Sequence, residues 1–182
     1  MLSKSQQNTL HFANIVGKLK ELKRTGWVRR NVPEPESVAE HSFRLAVLVM
    51  VLAREAGVDE TKAIKMALIH DLAEAEIGDI VTFKGGQPRN NRVEKLAKER
   101  AAMAKILELV SVEPELYDEF AAGRTPEARL VNDVDRLEMA ITAKEYQERS
   151  GIDTSELIET ASALIETKLV RTLLEGLMNE EG

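Results

Sequence analysis

Residues 37–57 read SVAEHSFRLAVLVMVLAREAG, and this stretch decides the fold. Ser37 and Glu40 form the capping-box pattern with which many helices begin, because each side chain accepts a hydrogen bond from a backbone N–H of the first turn. The apolar run that follows is long enough for a helix, and it ends at Gly57, a residue that commonly closes one. The stretch predicts a largely apolar α-helix with His41 in its first turn.

Helical periodicity continues along nearly the whole chain, and no segment shows the alternation typical of a β-strand. Gly, Pro and capping residues mark where each helix should begin and end. A connecting loop that contains Trp27 is expected over residues 26–36. The expected helices cover Lys4–Lys23, 37–56, 60–77, Asn91–Val110, a short segment after Pro114, and 126–146. The sequence therefore predicts an all-α helical bundle.

The end of the chain predicts one further helix. Residues 153–156, Asp-Thr-Ser-Glu, form a second capping-box pattern. The helix that they would open carries a wide apolar stripe. Its members are Leu157, Leu164, Leu169, Leu173 and Leu177. We expect this stripe to dock onto the bundle core.

Length and composition describe one globular domain of ordinary size. The chain has 182 residues, of which 43% are hydrophobic and 31% charged, and we treat residues 1–182 as a single domain. No apolar run approaches the roughly 18 residues that cross a bilayer, so we expect no membrane partner. The N-terminal residues carry no export signal, and the expected location is the cytoplasm.

Charge and the absence of cysteine narrow the function. A formal net charge of −6 is unlike the basic surfaces that bind nucleic acid polymers, which leaves small molecules as the expected ligands. The sequence has Cys 0, so thiolate chemistry is excluded. Any metal must be held by imidazole and carboxylate groups.

Two histidines lie in helices dominated by apolar residues, at positions where a core usually has Leu or Met. His41 by itself is more often a buried histidine bonded to a backbone carbonyl than a metal ligand. The pair His70-Asp71 by itself arises often by chance. Together with Asp135, in a third apolar helix, these residues point to a metal site.

The four side chains offer two imidazoles and two carboxylates, a donor set that suits Mn, Fe, Co, Ni, Zn or Mg. Carboxylates flanked by Leu, Val and Met would be stranded in low dielectric without a compensating cation. Asp133 lies on a different helix face from Asp135, so we interpret it as a partly exposed carboxylate paired with Arg136 or a lysine. The sequence predicts one divalent ion, bound by His41, His70, Asp71 and Asp135.

Three segments carry a family resemblance: GWVRRNVPEPESVAEHSFR (26–44), ALIHDLAEAEIGDI (67–80) and LVNDVDRLEMA (130–140). They resemble the HD-domain phosphohydrolases, and most closely the HD-domain 5'-deoxynucleotidases. The His, His-Asp and distant Asp that define the HD domain match the four predicted ligands. The resemblance implies an all-α, dimeric enzyme that removes the 5'-phosphate from deoxyribonucleoside monophosphates, supported by cobalt, manganese or magnesium.

The resemblance also implies that Glu74 and Asp79 form an acidic catalytic pair and that Trp27 is a wall against the deoxyribose. Glu74 follows His70 by four residues, so it projects from the same helix face and could orient water or move a proton. Without the resemblance, Glu74 is equally well interpreted as a surface residue. By spacing alone, Asp79 is an ordinary loop residue and Trp27 a loop aromatic that covers the core.

One position departs from the family pattern. In bacterial members an Arg directly before the matching Trp orients the phosphate, and this chain has Gly26 at that position. Phosphate contact would then come from Arg29, Arg30 or Lys84, or the substrate differs. Two rival functions stay open: an HD hydrolase of nucleoside triphosphates, cyclic nucleotides or guanosine tetraphosphate, and a non-catalytic helical scaffold or regulatory module.

Overall fold

The computed structural model describes residues 1–81, 83–84, 87–88, 92–110, 112 and 114–179, with the backbone alone at 83–84, 87–88 and 92. Two short strands, β1 (Phe83–Lys84) and β2 (Gln87–Pro88), pair antiparallel. The remaining elements are helices, so the predicted all-α class is confirmed. They are α1 (Lys4–Lys18), α2 (Thr25–Val28), α3 (Val38–Ala56), α4 (Glu60–Ile69), α5 (Glu74–Ile77), α6 (Arg92–Glu108), α7 (Pro114–Ala122), α8 (Pro126–Ser150), α9 (Ser155–Leu164) and α10 (Lys168–Asn179).

The capping residues form the contacts that the sequence predicted for α3. Ser37 Oγ accepts a hydrogen bond from Glu40 N at 3.2 Å, and Ser37 N donates to Glu40 Oε2 at 2.6 Å. Gly57 closes the helix in the left-handed region, with φ 68°. α3 therefore begins and ends where its own sequence dictates.

The core lies where α3 packs against α4 and α8. Leu45 and Val49 of α3 are fully buried there, and each aliphatic side chain of this kind contributes about 1.5–3 kcal/mol when buried. His41 lies one turn before Leu45 on the same helix face. Packing of the leucine and valine thus turns His41 toward α8.

The N-terminal boundaries differ from the prediction. α1 ends at Lys18 rather than Lys23, because the next residues pair with the segment that precedes α3. Arg24 N donates to Glu36 O at 3.0 Å, and Lys23 forms an isolated antiparallel bridge with Ser37. Part of the expected loop is helical as α2. These contacts join residues distant in sequence, so local periodicity does not contain them.

The predicted continuous helix up to Gly78 is wrong. It is divided into α4 and α5 by a tight turn over residues 70–73. His70 Nδ1 lies 2.8 Å from Ala67 O, and Glu74 N donates to Asp71 O at 3.0 Å, a three-residue bond that tightens the chain. The turn changes the direction of the chain at His70 and Asp71, where α4 ends.

The predicted second capping box and single final helix are also wrong. Asp153 Oδ1 accepts from Ser155 N at 3.0 Å, while Thr154 Oγ1 donates to Ala143 O of α8 at 2.7 Å, so the expected reciprocal box is replaced. The helix is broken between α9 and α10 because Asp133 of α8 binds the backbone there. Leu169 and Leu177 still pack on the core. No helix in the described part of the chain is long and apolar enough to cross a membrane.

Candidate metal centre

His41 is fully buried and held by a carboxylate of α8. Its Nδ1 lies 2.5 Å from Glu138 Oε2, which orients the ring and directs Nε2 to the opposite side. Nε2 lies 3.1 Å from Asp135 Oδ1. The first turn of α3 therefore presents one nitrogen, already backed by a carboxylate, to a second carboxylate.

His70 is oriented in the same manner by a backbone carbonyl. Its side chain is 3% exposed, and its Nδ1 contacts Ala67 O. This leaves Nε2 facing Asp71, whose Oδ2 lies 2.9 Å away. Both histidines thus use Nδ1 for support and leave Nε2 toward the same cluster.

The predicted ligands come together from α3, α8 and the turn after α4. One donor atom each from His41, His70 and Asp71 lies within 4.8 Å of the others, and Asp135 joins this set through its contact with His41. Both Nε2 atoms are buried and have no hydrogen-bond partner among the described residues. Buried ring nitrogens rarely stay unpaired, and two of them beside carboxylates fit a divalent cation.

Electrostatics at the cluster also favour a cation. Burial and Arg24 lower the pKa of His41, but the neighbouring carboxylates of Asp135 and Glu138 outweigh them and raise it to about 9. Burial raises the pKa of Asp135, and His41 and His70 lower it to about 2. The pKa of Asp71 lies below its usual range because the two histidines overcome the effect of burial. The carboxylates are therefore ionised and available as ligands.

Glu74 is buried beside this cluster, in the first turn of α5. The residue is 4% exposed, and its Oε1 lies 3.8 Å from Lys95 Nζ of α6. Burial, together with the negative charges of Asp71 and Asp79, raises its pKa well above the usual range. A raised pKa makes a carboxyl group better suited to proton donation.

Asp79 is half-buried and contacts the beginning of α2. Its Oδ2 accepts from Thr25 N at 2.6 Å, and Thr25 Oγ1 donates to Asp79 O at 2.9 Å. The residue thus holds α2 against the segment that follows α5. The negative charge of Asp79 contributes to the raised pKa of Glu74.

The predicted substrate-binding residues lie in different surroundings. Trp27 is 2% exposed, packs edge-on against Tyr146 at 5.1 Å, and donates from Nε1 to Glu36 Oε1 at 2.9 Å. Arg29 is exposed, and Arg30 binds Gly26 O at 3.1 Å and Glu156 at 3.4 Å. The side chain of Lys84 lies outside the described residues.

Sequence reasoning missed two charged residues that face the site, Glu138 and Arg24. Glu138 is fully buried and also accepts from Arg44 Nε at 2.8 Å. Its spacing of three residues after Asp135, on the same apolar helix, was the available signal. Arg24 had no such signal, because it reaches the site through a contact between distant segments.

Asp133 pairs with Arg136 at 2.8 Å, as the sequence predicted. It is buried, with 1% exposure, so the expectation of a partly exposed carboxylate is wrong. Its Oδ2 accepts from Glu166 N at 3.1 Å and Thr167 N at 2.7 Å, which holds the two residues that precede α10. Asp133 is therefore a structural residue, and Asp135 is the aspartate that faces His41.

Fold and site together define an HD-domain protein: the family model described as HD domain matches residues 16–173. A 5'-deoxynucleotidase HDDC2 from Danio rerio is 39% identical over 151 residues, covering 79% of this chain and 72% of that protein. The 5'-deoxynucleotidase hdd1 of Schizosaccharomyces pombe is 32% identical, covering 93% and 88%. The chain belongs to the HD-domain family that includes these 5'-deoxynucleotidases.

A solved structure shows the same fold. A conserved hypothetical protein from Pyrococcus furiosus superposes with a TM-score of 0.75 at 33% identity, covering 93% of this chain and 98% of the other. The resemblance expected from the three sequence segments is confirmed. The HD domain implies dependence on a divalent metal ion, and the cluster of His41, His70 and Asp71 provides a group able to hold one.

Proposed function

We propose that this chain is a metal-dependent 5'-deoxynucleotidase, which hydrolyses the 5'-phosphate of deoxyribonucleoside monophosphates. The observation that carries the proposal is the pair of buried, unpartnered Nε2 atoms of His41 and His70 beside two carboxylates. The substrate assignment is supported by the similarity of this chain to proteins named 5'-deoxynucleotidase, from fish to yeast.

The metal would be held by His41, His70, Asp71 and Asp135. Cobalt, manganese or magnesium are the ions that the family resemblance favours. When bound, such an ion offsets negative charge on a phosphoryl group and makes water more acidic. Glu138 and the carbonyl of Ala67 hold the two rings in the orientation that this requires.

The chain's own acid–base groups would be Glu74 and Asp79. The raised pKa of Glu74 suits it to donate a proton to the departing 5'-oxygen. Asp79 would orient the attacking water. Direct attack by water requires no covalent intermediate, in keeping with a chain that has Cys 0.

A panel of phosphate esters tests the proposal. The purified protein is stripped with chelator, reloaded with cobalt, manganese or magnesium, and offered deoxyribonucleoside and ribonucleoside monophosphates, triphosphates, cyclic nucleotides and guanosine tetraphosphate. We expect phosphate release from deoxyribonucleoside monophosphates, restored by metal and abolished in an Asp71→Ala variant. Release from another class alone would replace the substrate assignment. Full activity in a folded Asp71→Ala protein would refute the site.

We also propose that the protein is a homodimer, as the family resemblance implies. Support comes from an exposed apolar stripe along the outer face of α3. Its members are Phe43 at 71% exposure, Val47 at 40%, Met50 at 46% and Val51 at 64%. A location in the cytoplasm stays a prediction.

A further inference from the structure

Arg24 lies beside Glu138 at the metal centre, and its guanidinium lacks a full set of hydrogen-bond partners. Its side chain is 19% exposed, and its Nη1 is buried with no hydrogen-bond partner among the described residues. Nη1 lies 3.8 Å from Glu138 Oε2, and Nε lies 3.9 Å from Glu36 Oε1. Both distances exceed those of a good hydrogen bond, so a buried donor of a charged group is left open.

A second arginine shows what a satisfied guanidinium looks like beside the same carboxylate. Arg44 Nε donates to Glu138 Oε1 at 2.8 Å, and its Nη1 binds both oxygens of Glu145 at 2.8 and 2.9 Å. Arg44 therefore secures Glu138 as a structural partner. Arg24 lies on the other oxygen of Glu138 and is held by charge alone.

The carboxylates of the site keep the Arg24 guanidinium charged. The negative charges of Asp135, Glu138 and Asp71 act on Arg24 and, against the effect of burial, raise its pKa beyond its usual range. The guanidinium is thus permanently charged and faces the carboxylates of the cluster. A phosphate monoester that approached these carboxylates would be repelled unless a cation met it, and a guanidinium fork matches two phosphate oxygens.

The backbone around Arg24 is fixed on both sides. Arg24 N donates to Glu36 O, and the next residue, Thr25, is bound to Asp79 through both its N–H and its hydroxyl group. A side chain that extends from a backbone so anchored needs little ordering when a ligand binds. Asp79 thus also acts as a positioning residue for Arg24.

We propose that Arg24 binds the phosphate group of the substrate through its open guanidinium beside Glu138. The inference rests on the proposed function only in that the substrate carries a phosphate monoester. Arg29 and Arg30, which the sequence offered for this role, are exposed and bound to Glu156, respectively.

Binding of inorganic phosphate to the manganese-loaded protein tests this, measured by calorimetry with metal content and melting temperature recorded in parallel. Arg24→Gln is expected to weaken phosphate binding about 10- to 100-fold, and Arg24→Lys about 10-fold, because lysine keeps the charge and loses the fork. Metal content should stay at the wild-type level. Arg54→Gln, at an exposed arginine of α3, is the matched control and should bind phosphate as the wild type does.

Several outcomes would overturn the inference. Wild-type phosphate affinity in folded Arg24→Gln would show that Arg24 is only a counter-ion of Glu36 and Glu138. If the glutamine variant fails to fold, wild-type affinity in Arg24→Lys would show the same. Loss of affinity in Arg29→Gln instead would move the role to that residue. No phosphate binding by the wild type would also refute it. Phosphate binding that depends on Arg24, without hydrolysis of deoxyribonucleotides, would refute the proposed function alone.

Discussion

Replacement of Asp133 by Asn is expected to lower thermal stability and to leave the metal centre intact. The Asp133 carboxylate is 1% exposed and accepts three hydrogen bonds, from Arg136, Glu166 N and Thr167 N, at 2.8, 3.1 and 2.7 Å. Arg136 is 29% exposed and also donates to Leu164 O, so water and this carbonyl screen its charge, and the main cost is the weakening of hydrogen bonds to a buried charged group, about 1–3 kcal/mol. For a chain of this size, that corresponds to a fall of roughly 2–12 °C in melting temperature.

Asp135→Asn is the matched control, two residues along the same helix. The Asp135 side chain is 34% exposed, and its Oδ1 faces His41 Nε2. We expect this variant to lose bound metal and activity. In the chelated protein, its free energy of unfolding should change by only roughly 1 kcal/mol, which shifts the melting temperature by a few degrees.

Calorimetric melting of the chelated proteins and metal analysis of the reloaded ones would separate the two roles. A wild-type melting temperature in Asp133→Asn would refute the role of Asp133 in holding the link between α9 and α10. Stoichiometric metal in Asp135→Asn would show that Asp135 is not a metal ligand.

Three further predictions concern the residues around the ion. In the chelated protein, the pKa of His41 rises from 6.5 to about 9 on folding, so its contribution of about 3 kcal/mol is present below pH 6.5 and is lost as pH rises through 9. Melting curves should show this fall, together with a metal-induced stabilisation that grows over the same window, because the ion displaces the proton; a gain that shrinks with pH would contradict it. Glu138→Gln should weaken metal binding about 10- to 100-fold in a chelator competition, since it removes the carboxylate behind His41, and unchanged affinity would remove that role. Glu74→Gln should lower kcat about 10²- to 10⁴-fold with metal content retained, and a kcat near wild type would exclude Glu74 as the proton donor.

The sequence predicts those features of the fold that depend on neighbouring residues. Ser37 with Glu40, and Thr125 with Pro126, place the beginnings of α3 and α8 because a cap uses only residues within one turn. The breaks at residues 70–73 and 165–167 escape prediction. The second depends on Asp133, which reaches the backbone from another helix.

The candidate site divides along the same line. His41 and His70 stand out in sequence because an imidazole in an apolar helix needs a partner. Glu138 and Arg24 belong to residue types that are common on surfaces, and only tertiary packing reveals that each is turned inward. Sequence therefore identifies the candidate metal ligands more readily than the buried charged groups around them.

Charge implies an order of binding at this site. Among the described residues, the carboxylates of Asp71, Asp135 and Glu138 face the guanidinium of Arg24, while Arg44 is occupied by Glu138 and Glu145. Without the ion, the protonated ring of His41 and the guanidinium of Arg24 offset part of this negative charge. A divalent ion that displaces the His41 proton would add one net positive charge to the site. Metal binding therefore strengthens the attraction of the site for an anionic phosphate, and we expect the metal to bind before the nucleotide.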